Sequence, residues 1–264
     1  MVVLAEVSPH LLKPLVDVHG ANKLSKLLLD ALMQEERFQV VVISSAEVQL
    51  DVAVDQGAGS TLFTTYAGLE DCLVEHKLTP SVGLSFGLNI HSLARFRSAS
   101  TFFFPIVGFI HSLGFDTHVS DLLSTQPFLR SGDVFICPSK NTQTTVIQLG
   151  IPESFTVVMP YGVDVDVYKS SGDKQQLRKN NQLTADKQVI LILSRISSSI
   201  KMDLTPIIRL LPKLVEKNPD VLLYIVGTVL DSVYVDQLKA LARQLQVDDY
   251  ILWNHSPDHD QIEQ

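Results

Sequence analysis

The sequence predicts an α/β protein with two doubly wound lobes, each a parallel sheet covered by helices on both faces. Short runs rich in valine and isoleucine recur along the chain, and they are apolar without alternation. Stretches with helical spacing separate these runs, and the whole series restarts after residue 162. Strands buried on both faces have such continuous apolar runs, and alternating strands and helices form parallel sheets.

The first lobe, residues 1–162, holds six predicted strands, at residues 2–7, 38–44, 81–86, 105–110, 133–137 and 156–159. Between the first two lies a predicted helix over residues 21–34. Leu24, Leu27 and Leu28 recur there at the spacing of one helix face, and Gly20 stands directly before it. A second helix is predicted over residues 141–149, because Gly150 is a typical helix stop.

The second lobe, residues 163–264, opens with a polar segment at residues 169–186. Strands are predicted at residues 189–193, 221–226 and 250–253. Helices are predicted at residues 204–217, with Pro206 in the first turn, and at residues 235–245. Residues 256–264 resemble the start of a further helix. Because a sheet of three strands would leave a hydrophobic edge exposed, we expect this lobe to be incomplete and the chain to be C-terminally truncated.

Composition excludes several classes of function. The net charge of −8 argues against a nucleic-acid partner, because phosphate neutralisation needs clustered cations. Two cysteines are too few for a disulfide framework, and no apolar run is long enough to span a bilayer. The N-terminus lacks the cationic flank of a signal peptide. We therefore expect a cytoplasmic protein without an integral membrane segment.

Candidate site residues follow the predicted strands, since ligands of open α/β sheets bind beyond the carboxyl ends of the strands. Gly20 lies between the first strand and its helix, where a glycine lets the backbone approach a phosphate at the helix N-terminus. Any such turn can require a glycine for structural reasons, so this signal is weak.

His111 follows the strongly apolar strand at residues 105–110 and is predicted to project into a cleft between the lobes. A neutral imidazole there could bond a sugar hydroxyl or assist proton movement. The alternative is a histidine bonded to nearby backbone, and the spacing alone does not decide between the two. His91, after Leu88-Asn89-Ile90, is a similar but weaker candidate.

Arg195 and Lys201 follow the first strand of the second lobe and precede its helix. The planar donors of arginine and the mobile charge of lysine together suit a diphosphate. The alternative is a pair of solvated loop cations. Gly227 ends the next strand, where it either lets a nucleotide pass close to the backbone or terminates the strand.

No cluster of cysteine and histidine has zinc spacing, and no Gly-x-Gly-x-x-Gly or Walker-type loop occurs. Asp164-Val165-Asp166 matches the Asp-x-Asp motif of a metal-binding pair. It follows a Tyr-Gly turn at the crossing between the lobes, so we interpret it as a hinge and cap. We therefore predict no metal site.

Several motifs combine into a family pattern. Met159-Pro160-Tyr161-Gly162-Val163-Asp164 is followed by Leu193-Ser194-Arg195, by Lys201-Met202-Asp203, and by Tyr224-Ile225-Val226-Gly227. This series resembles the retaining GT-B glycosyltransferases of glycosyltransferase family 4, or "glycosyl transferases group 1", which are glycogen-synthase-like. The resemblance covers nearly the whole chain and is more specific in the second lobe.

The resemblance implies a GT-B fold of two Rossmann-like lobes and a hexosyltransferase-like enzyme of carbohydrate metabolism. Its substrates would be a nucleotide-diphosphate sugar donor and an unidentified acceptor, with no metal or other cofactor. Arg195 and Lys201 would hold the donor diphosphate, and Gly20 would lie near the phosphates. Gly227 would be close to the nucleotide, and His111 would face the transferred sugar as the catalytic residue.

The chain departs from the family pattern in three ways. One glycine, Gly20, stands where the family has two, and Met202 replaces the usual glycine after the lysine. The family's Glu-x7-Glu motif would lie beyond Gln264, so we expect the chain to be an inactive fragment. The alternatives are a non-catalytic GT-B module that binds nucleotide or carbohydrate, and a GT-B sugar-nucleotide epimerase.

Overall fold

A computed structural model of the chain describes residues 1–12, 20–44, 61–163, 165–166, 169, 172–199 and 201–255. The chain divides into two compact units, Met1–Gly162 and Val163–Gln264. Each unit has its own sheet and its own buried core. The predicted opening of a helix at residues 256–264 lies outside the described residues.

Seven parallel strands form the sheet of the first unit. They are β1 (Val2–Val7), β2 (Gln39–Ser44), β3 (Thr61–Thr65), β4 (Val82–Ser85), β5 (Ile106–Phe109), β6 (Val134–Cys137) and β7 (Thr156–Val158). Their order in the sheet is β3-β2-β1-β4-β5-β6-β7. The chain therefore winds outward in both directions from β1, which pairs with β2 on one side and with β4 on the other.

Among the described residues of this unit, five α-helices connect the strands. They are α1 (Gly20–Gln34), α2 (Leu69–Glu75), α3 (His91–Ala99), α4 (Asp116–Thr125) and α5 (Lys140–Gln148). Helix α5 begins at a Ser139 cap, whose side chain accepts a hydrogen bond from the Thr142 backbone N–H. Gly20 is the first residue of α1, so the predicted start at residue 21 was late by one position.

Both faces of the first sheet are buried, which explains why its strands lack polar alternation. Ala5 and Val7 of β1 pack in a core cluster with Leu29 of α1. Leu4, the residue directly before Ala5, packs in a second cluster with Leu69 of α2. Because successive side chains of a strand point to opposite faces, β1 and β2 each contribute to both clusters.

The second unit has a smaller parallel sheet, in the order β10-β9-β8. Its elements are α6 (Lys174–Asn180), β8 (Gln188–Leu193), α7 (Thr205–Lys217), β9 (Val221–Gly227), α8 (Ser232–Gln244) and β10 (Ile251–His255). Pro206 lies in the first turn of α7, as predicted. Helices α7 and α8 pack on the sheet, with Ile208, Leu223 and Leu238 in one buried cluster.

The prediction of two parallel α/β sheets is confirmed, and all nine predicted strands are present with no end shifted by more than two residues. The predictions omitted β3 and the helices α2, α3, α4 and α6. Among the helices that the structure describes, none is long and apolar enough to cross a bilayer.

Candidate functional site

The loop after β8 carries two of the predicted site residues, Arg195 and Lys201. It begins beside the end of β9, because the Ile196 N–H donates to the Thr228 carbonyl at 2.8 Å and Ile196 accepts from the Leu230 N–H at 3.1 Å. Ile196 is buried, whereas Arg195 is half-buried and Lys201 is exposed. The backbone of this loop is thus tied to the sheet while its two cations are presented at the carboxyl end of β8.

The other end of this loop is fixed by Tyr234 of α8. The Tyr234 hydroxyl accepts a hydrogen bond from the Leu204 N–H at 2.7 Å and donates to Asp203 Oδ1 at 2.8 Å. The same carboxylate accepts from the Thr205 N–H, and these bonds hold the pKa of Asp203 below its usual range. Lys201 therefore stands two residues before the anchored Asp203 and four residues before the start of α7.

Gly227 ends β9, and its Cα lies against the backbone of the loop after β8. A Cβ atom at this position would collide with the Ser194 carbonyl oxygen and carbon. The glycine is therefore required by the close approach of Ser194, whose N–H also donates to the Val226 carbonyl at 3.0 Å. The predicted proximity of Gly227 to a nucleotide stays a prediction, but the position already has a structural need for glycine.

His111 lies two residues beyond β5, and its ring reaches the end of the neighbouring strand. His111 Nε2 is 2.8 Å from the Phe86 carbonyl oxygen, and the ring centre lies 5.4 Å from that of Tyr161. Burial lowers the pKa of His111 more than the Phe86 carbonyl raises it. The neutral ring therefore donates from Nε2 to Phe86, which leaves Nδ1 as an acceptor.

The contact with Phe86 is the backbone hydrogen bond that the structural interpretation of His111 predicts. The same ring also lines a pocket, so a role toward a ligand stays a prediction. Tyr161 is fixed nearby by a hydrogen bond from its hydroxyl to the Ile110 carbonyl at 2.9 Å. Burial is the main reason that the pKa of Tyr161 rises to about 12, so its hydroxyl keeps its proton.

The weaker candidate, His91, has a structural environment. It is the first residue of α3, and its Nε2 lies 2.6 Å from the Ser124 carbonyl oxygen. Its ring meets Phe128 edge to face at 5.1 Å. These contacts join α3 to the last turn of α4 and to the segment that follows it.

The pocket beside His111 has a volume of about 320 Å³ and lies at the carboxyl ends of β1 and β4. Glu6 from β1 and His111 are among its lining residues. Its other polar lining groups are four hydroxyls and two amides, from Ser8, Ser25, Ser85, Ser92, Asn22 and Asn89. Asn22 and Ser25 belong to α1, the helix that begins at Gly20. Gly20 and His111 are thus predicted residues from segments that meet at one pocket.

Glu6 is a site residue that the sequence interpretation missed. Burial raises the pKa of Glu6, and the nearby hydroxyls of Tyr66, Ser92 and Ser85 lower it to a smaller extent. Glu6 Oε2 is buried and has no partner in hydrogen-bond geometry among the described residues. A carboxyl group inside an otherwise apolar strand was the sequence signal that could have identified it, since buried acids are rare without a partner.

The described residues bring the predicted site residues together within each unit. The carboxyl ends of the strands in the second sheet carry Arg195, Lys201 and Gly227. At the carboxyl ends of the strands in the first sheet, His111 lies near the start of α1. Asp164 lies outside the described residues, so the proposed hinge is not described. In the described parts of the chain, no group of three His, Cys, Asp or Glu side chains could hold a metal ion.

Comparison with known proteins adds evidence for the fold. No protein-family model and no curated protein sequence matches the chain. Among solved structures, HepE from Anabaena in complex with UDP is similar, with a TM-score of 0.69 and 19% identity. That alignment covers 99% of this chain and 71% of HepE.

Two further structures are similar at lower identity. The lipopolysaccharide outer core galactosyltransferase WaaB has a TM-score of 0.65 and 12% identity, over 98% of this chain and 69% of WaaB. The UDP-GlcNAc 2-epimerase from Neisseria meningitidis, bound to UDP-GlcNAc, has a TM-score of 0.53 and 13% identity, over 100% and 74% of the two chains. The chain therefore has the α/β fold of GT-B glycosyltransferases, with Rossmann-like lobes, as predicted.

Proposed function

We propose that this chain binds a nucleoside-diphosphate sugar and acts as part of a retaining, metal-independent glycosyltransferase. The observation that carries the proposal is the anchored loop after β8, which presents Arg195 and Lys201 at the carboxyl end of a parallel sheet. Ligands of such sheets bind at this edge. Two similar structures, HepE and the epimerase, hold UDP or UDP-GlcNAc, which supports a nucleotide ligand of the same class.

In the proposed reaction, the glycosidic bond to the diphosphate breaks and the nucleoside diphosphate leaves with its electron pair. Arg195 and Lys201 stabilise the negative charge that develops on this leaving group, as fixed cations do in a pre-organised site. The acceptor hydroxyl forms the new bond to the same sugar carbon, and its proton passes to an oxygen of the departing diphosphate. The backbone bonds of Ile196 and the Tyr234–Asp203 contact hold the loop in place before the donor binds.

His111 has a separate part in this proposal. Its neutral ring is oriented by the Phe86 carbonyl, so Nδ1 accepts a hydrogen bond from a sugar hydroxyl. In a form of the protein that catalyses the transfer, replacement of His111 by alanine then lowers sugar turnover far more than nucleotide affinity. Equal turnover would leave His111 with its structural role alone.

Titration of the chain with UDP, followed by ligand-detected NMR, tests the phosphate site. We expect Arg195→Ala and Lys201→Ala each to weaken UDP binding by about 1–3 kcal/mol, because each removes a charge-assisted hydrogen bond. Matched controls are Arg243→Ala and Lys213→Ala, which remove exposed cations from α8 and α7. Unchanged UDP affinity in both loop variants would refute the proposed phosphate site.

An epimerase is the second candidate, because the N. meningitidis enzyme has a similar fold. Its TM-score of 0.53 is lower than the 0.65 of the galactosyltransferase WaaB, so the transferase is favoured. Incubation with UDP-GlcNAc and no acceptor separates the two. Inversion at carbon 2 of the sugar, seen by NMR, would indicate the epimerase, and a module without catalysis would bind UDP and change no sugar.

A further inference from the structure

We propose that the pocket at the carboxyl ends of β1 and β4 binds a neutral, hydroxyl-rich molecule, a carbohydrate or polyol, and that Glu6 selects it against anionic analogues. The assignment of this pocket as the acceptor site of a transferase rests on the proposed function. Its assignment as a carbohydrate site depends only on the residues that line it. The pocket lining thus indicates the chemical class of the acceptor, which no sequence motif indicates.

The lining of the pocket has the composition of a carbohydrate site. Four serine hydroxyls and the Asn22 and Asn89 amides all donate and accept hydrogen bonds, as sugar hydroxyls do. Val7, Leu11 and Phe86 supply apolar surface for the carbon-bound faces of a ring. The volume of about 320 Å³ is near the lower end of the range of small-molecule pockets, about 300–1,000 Å³. One sugar unit fits this size better than an extended chain.

Glu6 supplies the strongest acceptor in this lining. Its Oε2 is buried without a hydrogen-bond partner among the described residues, although Tyr66, Ser85 and Ser92 lie nearby. A buried carboxyl oxygen without a partner costs free energy, and a ligand hydroxyl that donates to the Glu6 carboxyl group, which lines the pocket, offsets part of that cost. Bonds to a charged acceptor are also stronger than those between neutral groups. A hydroxyl at this point of the ligand is therefore favoured.

The same carboxyl group disfavours a phosphate or carboxylate on the ligand. None of the lining residues that the structure describes is a lysine or an arginine, so no side-chain cation of that lining offsets Glu6. Like charges placed together in a buried site repel strongly. The start of α1 alone would favour an anion through its backbone N–H groups, and the Glu6 carboxylate opposes that effect.

Ligand-detected NMR with simple sugars tests this inference on the whole chain. The probes are the methyl glycosides of glucose, galactose and mannose, and the anionic counterpart glucose 6-phosphate. We expect at least one neutral glycoside to bind about tenfold or more tightly than the phosphate, because of the charge repulsion at Glu6. Glu6→Gln keeps the shape of the side chain and should reduce that preference to a few-fold.

The control variant is Glu70→Gln, which removes an exposed carboxylate from α2 of the same unit. Ser92→Ala is a second pocket variant, and it should weaken the neutral glycosides several-fold. Three results would overturn the inference: equal binding of neutral and anionic probes, an unchanged preference in Glu6→Gln, and no binding of any neutral glycoside.

UDP in the same samples separates this inference from the proposed function. If UDP fails to bind while the glycosides depend on Glu6, the pocket stands and the transferase proposal fails. If UDP binds at the loop after β8 and Glu6→Gln leaves the binding of the glycosides unchanged, only the pocket inference fails. A loss of UDP affinity in Glu6→Gln would place the pocket in the donor site and overturn its assignment to the acceptor.

Discussion

The Ser194 carbonyl oxygen occupies the space that a Cβ atom on Gly227 would need. Ser194 begins the loop with Arg195 and Lys201, and Gly227 ends the adjacent strand β9. The lack of a side chain at one position therefore lets the phosphate-binding loop of the proposed site lie directly against the sheet.

Gly227→Ala is expected to destabilise the second unit by about 1–3 kcal/mol or more. The added methyl group meets backbone, which cannot rotate away as a flexible side chain can, so the loop or the strand must shift. Urea unfolding measures the loss. Gly162→Ala is the control, because no atom lies within 4 Å of its added Cβ. Equal unfolding midpoints for the two variants would show that the strand and loop separate at little cost.

The buried ion pair between Arg97 and Asp133 carries the second prediction. Two hydrogen bonds, of 2.6 and 2.9 Å, join the side chains, whose exposed fractions are 1% and 0%. Asp133→Asn leaves the guanidinium buried without an anion, and we expect a loss of about 3–5 kcal/mol in the free energy of unfolding. Chemical denaturation measures the loss.

The matched control for that pair is Arg37→Ala. Arg37 binds Glu35 at 2.8 Å, but its side chain is 78% exposed. Solvent screens such a pair, so we expect the unfolding midpoint to remain near that of the parent chain. If Asp133→Asn and Arg37→Ala lowered the free energy of unfolding by similar amounts, the buried ion pair would contribute no more to stability than the exposed one.

Glu6 gives a prediction about pH. Burial raises the pKa of Glu6 in the folded chain above the ordinary value of 4.5. The folded state therefore binds the proton more tightly than the unfolded state, and stability is lost as the pH rises through the folded pKa. Glu6→Gln cannot lose a proton there. Its stability relative to the parent chain should increase from about pH 4 to pH 7, where the parent carboxyl ionises.

Thermal unfolding over a pH series measures this difference. Glu70→Gln serves as the control, because it makes the same change at a carboxylate that is exposed to solvent. A constant offset in Glu6→Gln would show that the Glu6 carboxyl is as well solvated as a surface carboxyl.

The strands were predictable because most of them are buried on both faces. The run at residues 2–7 and the strand β1 have the same bounds, since nearly every residue there packs into a core. Strand β3 was missed for the opposite reason: it lies at the edge of the sheet, and all five of its residues are only partly buried. Edge strands need fewer apolar residues, so their pattern is weaker.

Helix α3 was missed because a charge interrupts its apolar stripe. Arg97 occupies a buried position of this helix, and its partner Asp133 lies 36 residues later. An ion pair at that separation leaves no periodic signal in either segment. The sequence instead shows two charged residues that resemble surface positions.

The candidate site was predictable to the extent that its residues follow strands. Arg195, Lys201 and His111 were identified in this way. Glu6 was missed because it lies inside a strand, where the sequence pattern indicates only burial. The anchor between Asp203 and Tyr234 was missed as well, because it joins residues 31 positions apart, and no local pattern connects them.

The position of β1 in its sheet has a consequence for synthesis of the chain on the ribosome. Strand β1 is made before both of its neighbours in the sheet, which are residues 39–44 on one side and residues 82–85 on the other. Until residue 85 has left the ribosome, β1 has an open hydrogen-bonding edge. Contacts between strands so far apart in sequence slow folding, so this edge stays open to pairing with another strand while the intervening residues are made.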